Sequence, residues 1–356
     1  MIVQAAVITE PGIVTTGPAE GASSPVQEPP PGWVALRPTA VGICGSDIHY
    51  FHGDIGALTG ESDWYPRIPG HEVSGIIESI GPDVTDERLR PGALVAVWPL
   101  ETCGRCYPCL RGKENACSAI RILGVHRDGG MATRVLASAS SVFPVQDLPP
   151  ESAAFVEPMS VAIHALSQAG LREGRAEGVH LLVLGGGPIG QAALLAATTW
   201  GATVAVLDPK PDRWATAERL GAVLALDPEA PDTITRIRGW GEGVGPDIVV
   251  DTTGVPSVLQ LAAELVAPTG TVVAVGLTGR SAPFSPGILP EKEITVVGSS
   301  CAARADFAAA VRLVHSRPDA VASLISHVLP LHRVAEAFDL AQRSDAGTMK
   351  VMVSVP

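Results

Sequence analysis

The sequence predicts an α/β protein built around an open parallel sheet with helices on both faces. Between residues 179 and 299, six short runs rich in β-branched residues alternate with segments of helical spacing. A glycine-rich turn joins the first run to a helix. The chain has 356 residues, 46% hydrophobic and 17% charged, which leaves room for two domains.

The glycine-rich turn lies inside an uncharged stretch, residues 179–207, that is long enough to cross a bilayer. Three consecutive glycines, a proline and a change to β-branched residues divide this stretch into strand, turn, helix and strand. We therefore interpret it as a buried βαβ unit and expect no membrane partner. The net charge of −12 also argues against nucleic acid or an anionic membrane surface as a partner.

The turn has the pattern Gly-x-Gly-x-x-Gly between a strand, HLLVL, and a helical segment, QAALLAATTWGA. In this context the glycines let the backbone approach a pyrophosphate, and the helix N-terminus presents free N–H groups to it. A dinucleotide is therefore the predicted cofactor. Its predicted contacts in the turn are Gly185, Gly187, Pro188, Ile189 and Gly190.

The choice between NAD and NADP depends on Asp208, which follows the next predicted strand, ATVAVL. A carboxylate at this place can accept hydrogen bonds from the adenosine ribose and would repel a 2′-phosphate. The sequence therefore favours NAD over NADP. Lys210 and Arg213 follow closely and weaken this preference, although Arg213 could instead lie alongside the adenine.

Four further β-branched runs continue the alternation: AVLALD (222–227), PDIVVDTTG (246–254), GTVVAVGL (270–277) and EITVVGS (293–299). In a doubly wound sheet the nucleotide lies at the carboxyl ends of the strands. The strand-end residues predicted to approach the dinucleotide are Gly254, Val275, Gly276 and Leu277.

Four of the six cysteines are crowded into residues 103–117, CGRCYPCLRGKENAC. The chain opens without a basic region or an apolar run, so we expect a cytoplasmic protein, where disulfides are rare. A thioredoxin-like redox site would need one Cys-x-x-Cys pair only. Four thiolates close the tetrahedral shell of zinc, which makes such a site structural. The predicted lobe spans about residues 98–120, with the ligands Cys103, Cys106, Cys109 and Cys117.

A third set of polar residues lies outside the lobe and the sheet. VGICGSDIHYF contains Cys44, GHEVSG contains His71 and Glu72, and AAFVEPMSVA holds Glu157 in apolar surroundings. An unpaired buried carboxylate is costly, so Glu157 calls for a partner. Cysteine, histidine and glutamate together suit a catalytic zinc with three protein ligands and one open position.

The motifs CGSDIHYF, GHEVSG, the four-cysteine lobe, EPMSVAIHA and GGGPIG follow one another over nearly the whole chain. In this order they resemble the zinc-dependent medium-chain dehydrogenases, most closely the polyol branch with sorbitol and xylitol dehydrogenases and their sugar-acid relatives. The resemblance implies a catalytic domain with a twisted, barrel-like β core over residues 1–157, a Rossmann domain over 158–290 and a return to the catalytic domain over 291–356. It also implies a homo-oligomer, either a dimer or a tetramer.

The resemblance further implies the ligands of the catalytic zinc. Cys44 and His71 match zinc ligands, and Glu72 matches a glutamate that is a direct ligand in polyol dehydrogenases. Glu157 matches a second glutamate, which holds the zinc-bound water or joins the metal during turnover. One catalytic and one structural zinc per chain are therefore expected.

The remaining residues of CGSDIHYF are implied to serve the reaction. Ser46 and His49 match the hydroxyl and the imidazole of a proton relay, and Tyr50 matches an aromatic residue that lies against the polyol. Asp47 is expected to support the loop. The implied reaction transfers hydride from a secondary or primary hydroxyl to NAD and gives a ketone or an aldehyde, with zinc polarising the substrate oxygen.

Two stretches depart from the polyol pattern. Ser299 and Ser300 stand where many polyol enzymes carry an arginine that touches cofactor and substrate, so both serines are predicted cofactor contacts. After the lobe, RILGVHRDGGMA looks more like dehydrogenases that act on aldonates. Arg127 in this loop, or Arg304, could bind a carboxylate.

Other functions stay open on sequence grounds. A sugar-acid 5-dehydrogenase and a threonine-type dehydrogenase are alternatives within the family. A zinc-free quinone reductase and a non-catalytic nucleotide-binding or redox-sensing protein are further alternatives. The presence of both predicted sets of zinc ligands argues against them. The segment CGSDIHYF, with its Tyr50, favours a neutral polyol or sugar as substrate.

Overall fold

A computed structural model of the chain describes residues 3–19, 28–54, 64–343, 345 and 347–356. The chain forms two compact units. The first unit combines Met1–Glu157 with Ala303–Pro356, and the second is the continuous segment Pro158–Ala302.

Strands occur in both units. Their bounds are β1 Gln4–Glu10, β2 Ile13–Pro18, β3 Trp33–Gly42, β4 Glu72–Ile80, β5 Leu94–Val97, β6 Leu100–Glu101, β7 Arg121–Ile122, β8 Val135–Ser138, β9 Val142–Pro144, β10 His180–Leu184, β11 Thr203–Leu207, β12 Leu224–Leu226, β13 Ile248–Asp251, β14 Thr271–Ala274, β15 Thr295–Gly298, β16 Ile325–Pro330 and β17 Lys350–Ser354.

Helices connect most of these strands. The α-helices are α1 Gly45–His52, α2 Pro150–Ala154, α3 Val156–Gln168, α4 Pro188–Thr199, α5 Pro211–Arg219, α6 Thr233–Trp240, α7 Val258–Leu265, α8 Ile288–Lys292, α9 Arg304–Ser316, α10 Pro318–Ala322 and α11 Val334–Arg343. Short 3₁₀ turns cover Cys109–Arg111, Glu114–Ala116, Ala139–Ser141 and Leu331–Arg333.

The first unit is organised by a seven-stranded sheet with the strand order β16-β17-β3-β4-β5-β9, in which β8 also pairs with β3. Most of its pairs are antiparallel, and only β16 and β17 run parallel. The β3–β4 ladder has two register shifts. Because such irregularities bend and twist a strand, they give the sheet the curvature that a barrel-like core requires.

The core of the first unit lies between this sheet and the helices packed on it. Its large, fully buried side chains include Ile8, Leu36, Ile77 and Phe338. Helix α2 packs on β3, β4 and β5, and α11 packs on β17. β3 is covered along most of its length, so its sequence, WVALRPTAVG, is largely apolar rather than strictly alternating. This sheet carries the residues of the predicted metal centre.

The second unit contains a six-stranded parallel sheet with the order β12-β11-β10-β13-β14-β15. All six predicted runs form these strands, and the predicted doubly wound sheet is confirmed. The strand order reverses beside β10, whose neighbours are β11 on one side and β13 on the other. A crevice at the carboxyl ends of the strands forms at such a reversal, and it is the usual nucleotide site.

The turn after β10 is possible only because its residues are glycines. Gly185 has φ +94°, in the left-handed region. A Cβ on Gly190 would lie 1.8 Å from the carbonyl oxygen of Gly185, so α4 can approach the turn only without a side chain there. The third glycine of the pattern therefore serves helix–strand packing, as in dinucleotide-binding turns.

The predicted return to the catalytic domain at residue 291 is too early. β15 pairs with β14 and completes the parallel sheet, so the second unit extends to Ala302 and the returning segment begins at Ala303. The uncharged stretch 179–207 is divided into β10, α4 and β11. Within the part of the chain that the structure describes, no helix has the length and hydrophobicity needed to span a membrane.

Candidate active site and metal centres

The four-cysteine lobe is a closed loop on the first unit. Its base is the two-residue ladder in which β6 pairs with β7. The Sγ atoms of its four cysteines lie within 4.8 Å of one another, as the tetrahedral shell of zinc requires. The predicted ligands are thus brought together: Cys103, Cys106, Cys109 and Cys117.

Backbone N–H groups favour the thiolate form of Cys106, whereas burial and the neighbouring sulfur groups raise the pKa of Cys109 to about 12. The amides of Cys103 and Ala119 donate to Sγ of Cys117, at 3.3 and 3.4 Å. Backbone hydrogen bonds from Cys109 and Ser118 lower the pKa of Cys106 to about 6. Thiolates are the form that binds zinc, so the donor set fits a structural zinc held by four sulfur ligands.

The two arginines proposed for a substrate carboxylate are engaged elsewhere. The Nε atom of Arg127 lies 2.5 Å from Oε1 of Glu101, and its Nη1 donates to the carbonyl of Leu136 at 2.9 Å. Arg304 donates from Nε to the carbonyl of Ser140 at 2.9 Å. Both side chains hold loops of the first unit together, and binding of a substrate carboxylate by either of them stays a prediction.

A second cluster of metal-binding side chains lies at one end of a central strand, β4, of the seven-stranded sheet. Cys44 precedes α1, and His71 and Glu72 stand at the start of β4. One ligand atom from each lies within 4.8 Å of the other two. His71 and Glu72 are buried, and Oε2 of Glu72 has no hydrogen-bond partner among the described residues. This donor set fits a cation with Cys, His and Glu ligands.

Asp47 joins the two segments that carry these ligands. Its Oδ2 atom accepts a hydrogen bond from the amide of Cys44 at 2.9 Å, and Oδ1 accepts one from the amide of Gly70 at 3.2 Å. Oδ1 also lies 3.8 Å from Nδ1 of His71. Asp47 is fully buried, and it supports the loop as the sequence predicts. A carboxylate behind a histidine orients the ring toward a metal.

Negative charge dominates the surroundings of His71. Burial alone lowers the pKa of His71, but Asp47 and Cys44, with a smaller contribution from Glu157, raise it well above the ordinary value. Burial raises the pKa of Glu157 to about 7, although the charge of His71 opposes this shift. Such a site attracts a cation, because a cation relieves both shifts.

Glu157, at the start of α3, lies within electrostatic range of His71 and Glu72. It is buried. Ligand atoms of Cys44, His71 and Glu72 lie within 4.8 Å of one another, but Glu157 is not part of this group. Ligation by Glu157 therefore stays a prediction.

Sequence reasoning missed one charged residue of this cluster, Lys350 at the start of β17. Its Nζ atom donates to the carbonyl of Ile43 at 3.0 Å and forms an ion pair with Oε1 of Glu72. Lys350 is the first residue of the strand KVMVS, which carries no other charge. The argument that singled out Glu157, a charge in apolar surroundings, applies equally to Lys350 and could have found it.

The predicted relay residues lie on α1. Ser46 is in its first turn, and His49 is in its last turn, partly exposed. Nδ1 of His49 lies 3.0 and 3.1 Å from the two carboxylate oxygens of Asp54, a partner that sequence reasoning missed. Gly53, with φ 77°, ends the helix and turns the chain so that Asp54 returns to His49.

Tyr50 belongs to the hydrophobic core of the first unit. It is 4% exposed, and its ring centroid lies 5.0 Å from that of Trp64. The hydroxyl of Tyr65 donates a hydrogen bond to the backbone carbonyl of Tyr50. Packing therefore accounts for Tyr50, and its contact with a substrate stays a prediction.

Asp208 lies at the glycine-rich turn of the second unit, fully buried. Its Oδ2 atom accepts from the amide of Gly186 at 2.7 Å and from Nη1 of Arg213 at 2.8 Å, and Oδ1 accepts from the amide of Lys210 at 2.8 Å. A carboxylate offers about four acceptor positions, so one remains for a ribose hydroxyl. Arg213 compensates part of the charge that would repel a 2′-phosphate.

The other predicted cofactor contacts lie at or just after the carboxyl ends of the parallel strands. A Cβ on Gly276 would lie 2.0 Å from the amide nitrogen of Gly254, so close packing of two strand ends already requires glycine at position 276. Leu277 is 63% exposed. Val275, Ser299 and Ser300 stand at the same edge of the sheet. Their contact with a dinucleotide stays a prediction.

The two predicted metal centres would stabilise different parts of the protein, and two matched cysteine substitutions distinguish them. Cys106→Ser should lower the thermal unfolding midpoint, because the lobe depends on its four ligands for order. Cys44→Ser should leave the midpoint nearly unchanged, because the seven-stranded sheet stays intact. Circular dichroism melting and zinc content of both variants check this prediction, and equal loss of the midpoint in both would contradict it.

Comparison with known proteins agrees with this geometry. Residues 30–147 match the alcohol dehydrogenase GroES-like domain, and residues 188–316 match the zinc-binding dehydrogenase family. The chain is 35% identical over 305 residues to the L-galactonate-5-dehydrogenase of Escherichia coli (strain K12), covering 85% of this chain and 86% of that protein. It is 32% identical over 319 residues to the sorbitol dehydrogenase of Bacillus subtilis (strain 168), covering 88% and 85%.

Solved structures share the whole fold. A short chain alcohol dehydrogenase of Escherichia coli CFT073 complexed with NADH has a TM-score of 0.87 at 26% identity, covering 99% of both chains. A zinc-binding dehydrogenase of Sinorhizobium meliloti 1021 bound to NADP has a TM-score of 0.87 at 29% identity, again covering 99% of both. The predicted fold class, a GroES-like domain with a Rossmann-type parallel sheet, is confirmed. The chain belongs to the zinc-type medium-chain polyol dehydrogenase family.

Proposed function

We propose that the protein oxidises a secondary or primary hydroxyl of a neutral polyol or sugar and transfers the hydride to NAD, giving a ketone or an aldehyde. The observation that carries this proposal is the cluster of the half-buried Cys44 with the buried His71 and Glu72 in a chain of this family. Three such ligands leave one coordination position for substrate, which distinguishes a catalytic zinc from the closed lobe.

Cys44 and His71 would hold the catalytic zinc, with Glu72 or Glu157 as the third ligand. When bound, zinc supplies Lewis-acid polarisation of the substrate oxygen. The role of Asp47 is to keep His71 and the Cys44 loop in place, through the hydrogen bonds to the amides of Cys44 and Gly70. The lobe would hold a second zinc, whose role is structural.

Ser46 and His49 would carry the hydroxyl proton to solvent. Ser46 stands two residues from Cys44, and the His49 side chain is 37% exposed, so α1 leads from the buried cluster toward water. Asp54 holds Nδ1 of His49 and thereby leaves Nε2 to exchange the proton. The exposed His49–Asp54 pair contributes little to stability, which favours a role in orienting the ring.

The relay can be tested with two substitutions and their combination. His49→Gln should lower kcat, within the about 10²–10⁴-fold that general acid–base groups contribute, with little change in KM. Asp54→Asn should lower kcat by less, because the ring remains but loses its orientation. In the His49→Gln background, Asp54→Asn should have no further effect. Steady-state kinetics of the four proteins provide the measurement, and full activity of His49→Gln would contradict the relay.

NAD is the proposed cofactor because Asp208 places a carboxylate at the end of the second strand of the βαβ unit. The ion pair with Arg213 moderates the resulting discrimination against NADP. The structural relatives include one protein complexed with NADH and one bound to NADP, so the proposal depends on Asp208 rather than on the fold.

A neutral substrate is favoured because Arg127 and Arg304 already have structural partners in the first unit. A carboxylate would need a local cation, since the protein carries a net charge of −12. An aldonate is the second candidate, because the L-galactonate-5-dehydrogenase of Escherichia coli is 35% identical to this chain.

Substrate oxidation decides between these candidates. Polyols, aldonates, secondary alcohols and threonine should be assayed with NAD and with NADP by the absorbance of the reduced cofactor. We expect turnover of a polyol or sugar with NAD. Turnover of none of these compounds by zinc-loaded protein would contradict the proposed activity.

The variant Arg127→Ala sharpens the comparison. It should lower thermal stability and leave KM for a neutral substrate unchanged, because Arg127 binds Glu101 and Leu136. In an aldonate enzyme that uses Arg127, the variant would lose about 1.5–3 kcal/mol of substrate binding. Activity on an aldonate alone, lost in Arg127→Ala, would overturn the choice of a neutral substrate.

A further inference from the structure

Lys350 and Glu72 form an ion pair inside the first unit that solvent does not reach. Lys350 is 3% exposed and Glu72 is 0% exposed. Nζ of Lys350 binds Oε1 of Glu72 and the carbonyl oxygen of Ile43, the residue next to Cys44. The pair therefore ties β17, β4 and the Cys44 loop together at the predicted metal centre.

Stability does not explain such a pair. Removing two charges from water costs free energy that their attraction often fails to return, and apolar replacements are often neutral or stabilising. The carboxylate is also only partly satisfied, because Oε2 of Glu72 is buried without a hydrogen-bond partner in the described chain. A buried ion pair that adds little stability and leaves one oxygen unsatisfied is therefore expected to have a role in the site.

Gly42, beside the pair, leaves the space that the two side chains occupy. A Cβ on Gly42 would lie 1.8 Å from Oε2 of Glu72 and 3.0 Å from Cε of Lys350. Gly42 does not have a positive φ, so conformation does not require a glycine at this place. The space occupied by the carboxylate and the lysine stem does require one.

The carboxylate of Glu72 thus lies between Lys350 and the predicted metal position. One of its oxygens is paired with Lys350. One of its oxygens is also within 4.8 Å of Sγ of Cys44 and a ring nitrogen of His71, where a metal would bind. A cation fixed on one side of a carboxylate reduces the charge it offers to a metal on the other side.

We infer that Lys350 is a positioning residue of the metal centre, which holds Glu72 by its charge and so makes Glu72 a weak, exchangeable ligand. Cys44 and His71 then provide the permanent hold on the metal. Glu72 can leave and return without a change in the fold, since Lys350 compensates its charge when it leaves. This inference rests on the proposed function only in taking the cluster as a metal site.

The test measures metal retention rather than turnover. Lys350→Met replaces the cation by an apolar side chain of similar length. It should slow zinc release to a chelator from the Cys44 centre by roughly tenfold or more, because removing the cation leaves more of the charge of Glu72 for the metal. Cys44→Ser, which lacks this centre, identifies the release phase that belongs to the lobe.

Replacing the zinc by cobalt shows whether Lys350 acts on the metal through Glu72. In Lys350→Met the visible absorption bands of cobalt at this centre should shift, because Glu72 binds the metal more firmly. In Glu72→Gln, adding Lys350→Met should change neither the spectrum nor the release rate. An equal effect of Lys350→Met with and without Glu72 would contradict the inference, as would the absence of any effect on metal release.

Gly42→Ala keeps the inference testable should Lys350→Met fail to fold. The added methyl group would lie 1.8 Å from Oε2, so the carboxylate must move away from its place beside Lys350 while both charges remain. We expect altered cobalt bands and an altered release rate, and a folded variant identical to the natural protein in both would overturn the inference. An inactive protein that shows the Lys350 effect would contradict the proposed activity alone.

Discussion

Buried negative charge at one end of the central strands β4 and β17 is the constraint on which the site depends. The carboxyl groups of Asp47, Glu72 and Glu157 are buried where water solvates them poorly. The half-buried thiol of Cys44 lies close to Glu72. Lys350 and the protonated form of His71 supply positive charge in the metal-free protein. A metal cation bound here would replace the proton on His71 and relieve the same excess of negative charge. Charge compensation thus explains why these residues meet in one place.

The two predicted metal centres are built in different ways. The lobe is local, since one loop closed by β6 and β7 carries all four sulfur atoms. The Cys44 centre is assembled from four separate parts of the chain: the start of α1, the start of β4, the start of α3 and the start of β17. Only a folded sheet brings these parts together, so the geometry of this centre depends on the core of the first unit.

This difference sets what the sequence could predict. The spacing of the four cysteines was enough to predict the lobe. The β-branched runs and the glycine-rich turn were enough to predict the parallel sheet. Lys350 could not be assigned to Glu72, because their contact joins residues 278 positions apart through the pairing of strands. Asp54 was missed because its approach to His49 depends on the left-handed turn at Gly53. The ion pair of Arg127 could not be predicted, because its partner, Glu101, lies on β6, on the other side of the lobe in the sequence.

The central claim is that Cys44 and His71 hold a metal that is distinct from the one in the lobe. Anomalous X-ray diffraction from crystals of the zinc-loaded protein, recorded on both sides of the zinc absorption edge, tests this claim most directly. The account predicts one zinc peak enclosed by the four lobe cysteines and a second beside Sγ of Cys44 and the ring of His71. A peak in the lobe alone, from fully zinc-loaded protein, would contradict it.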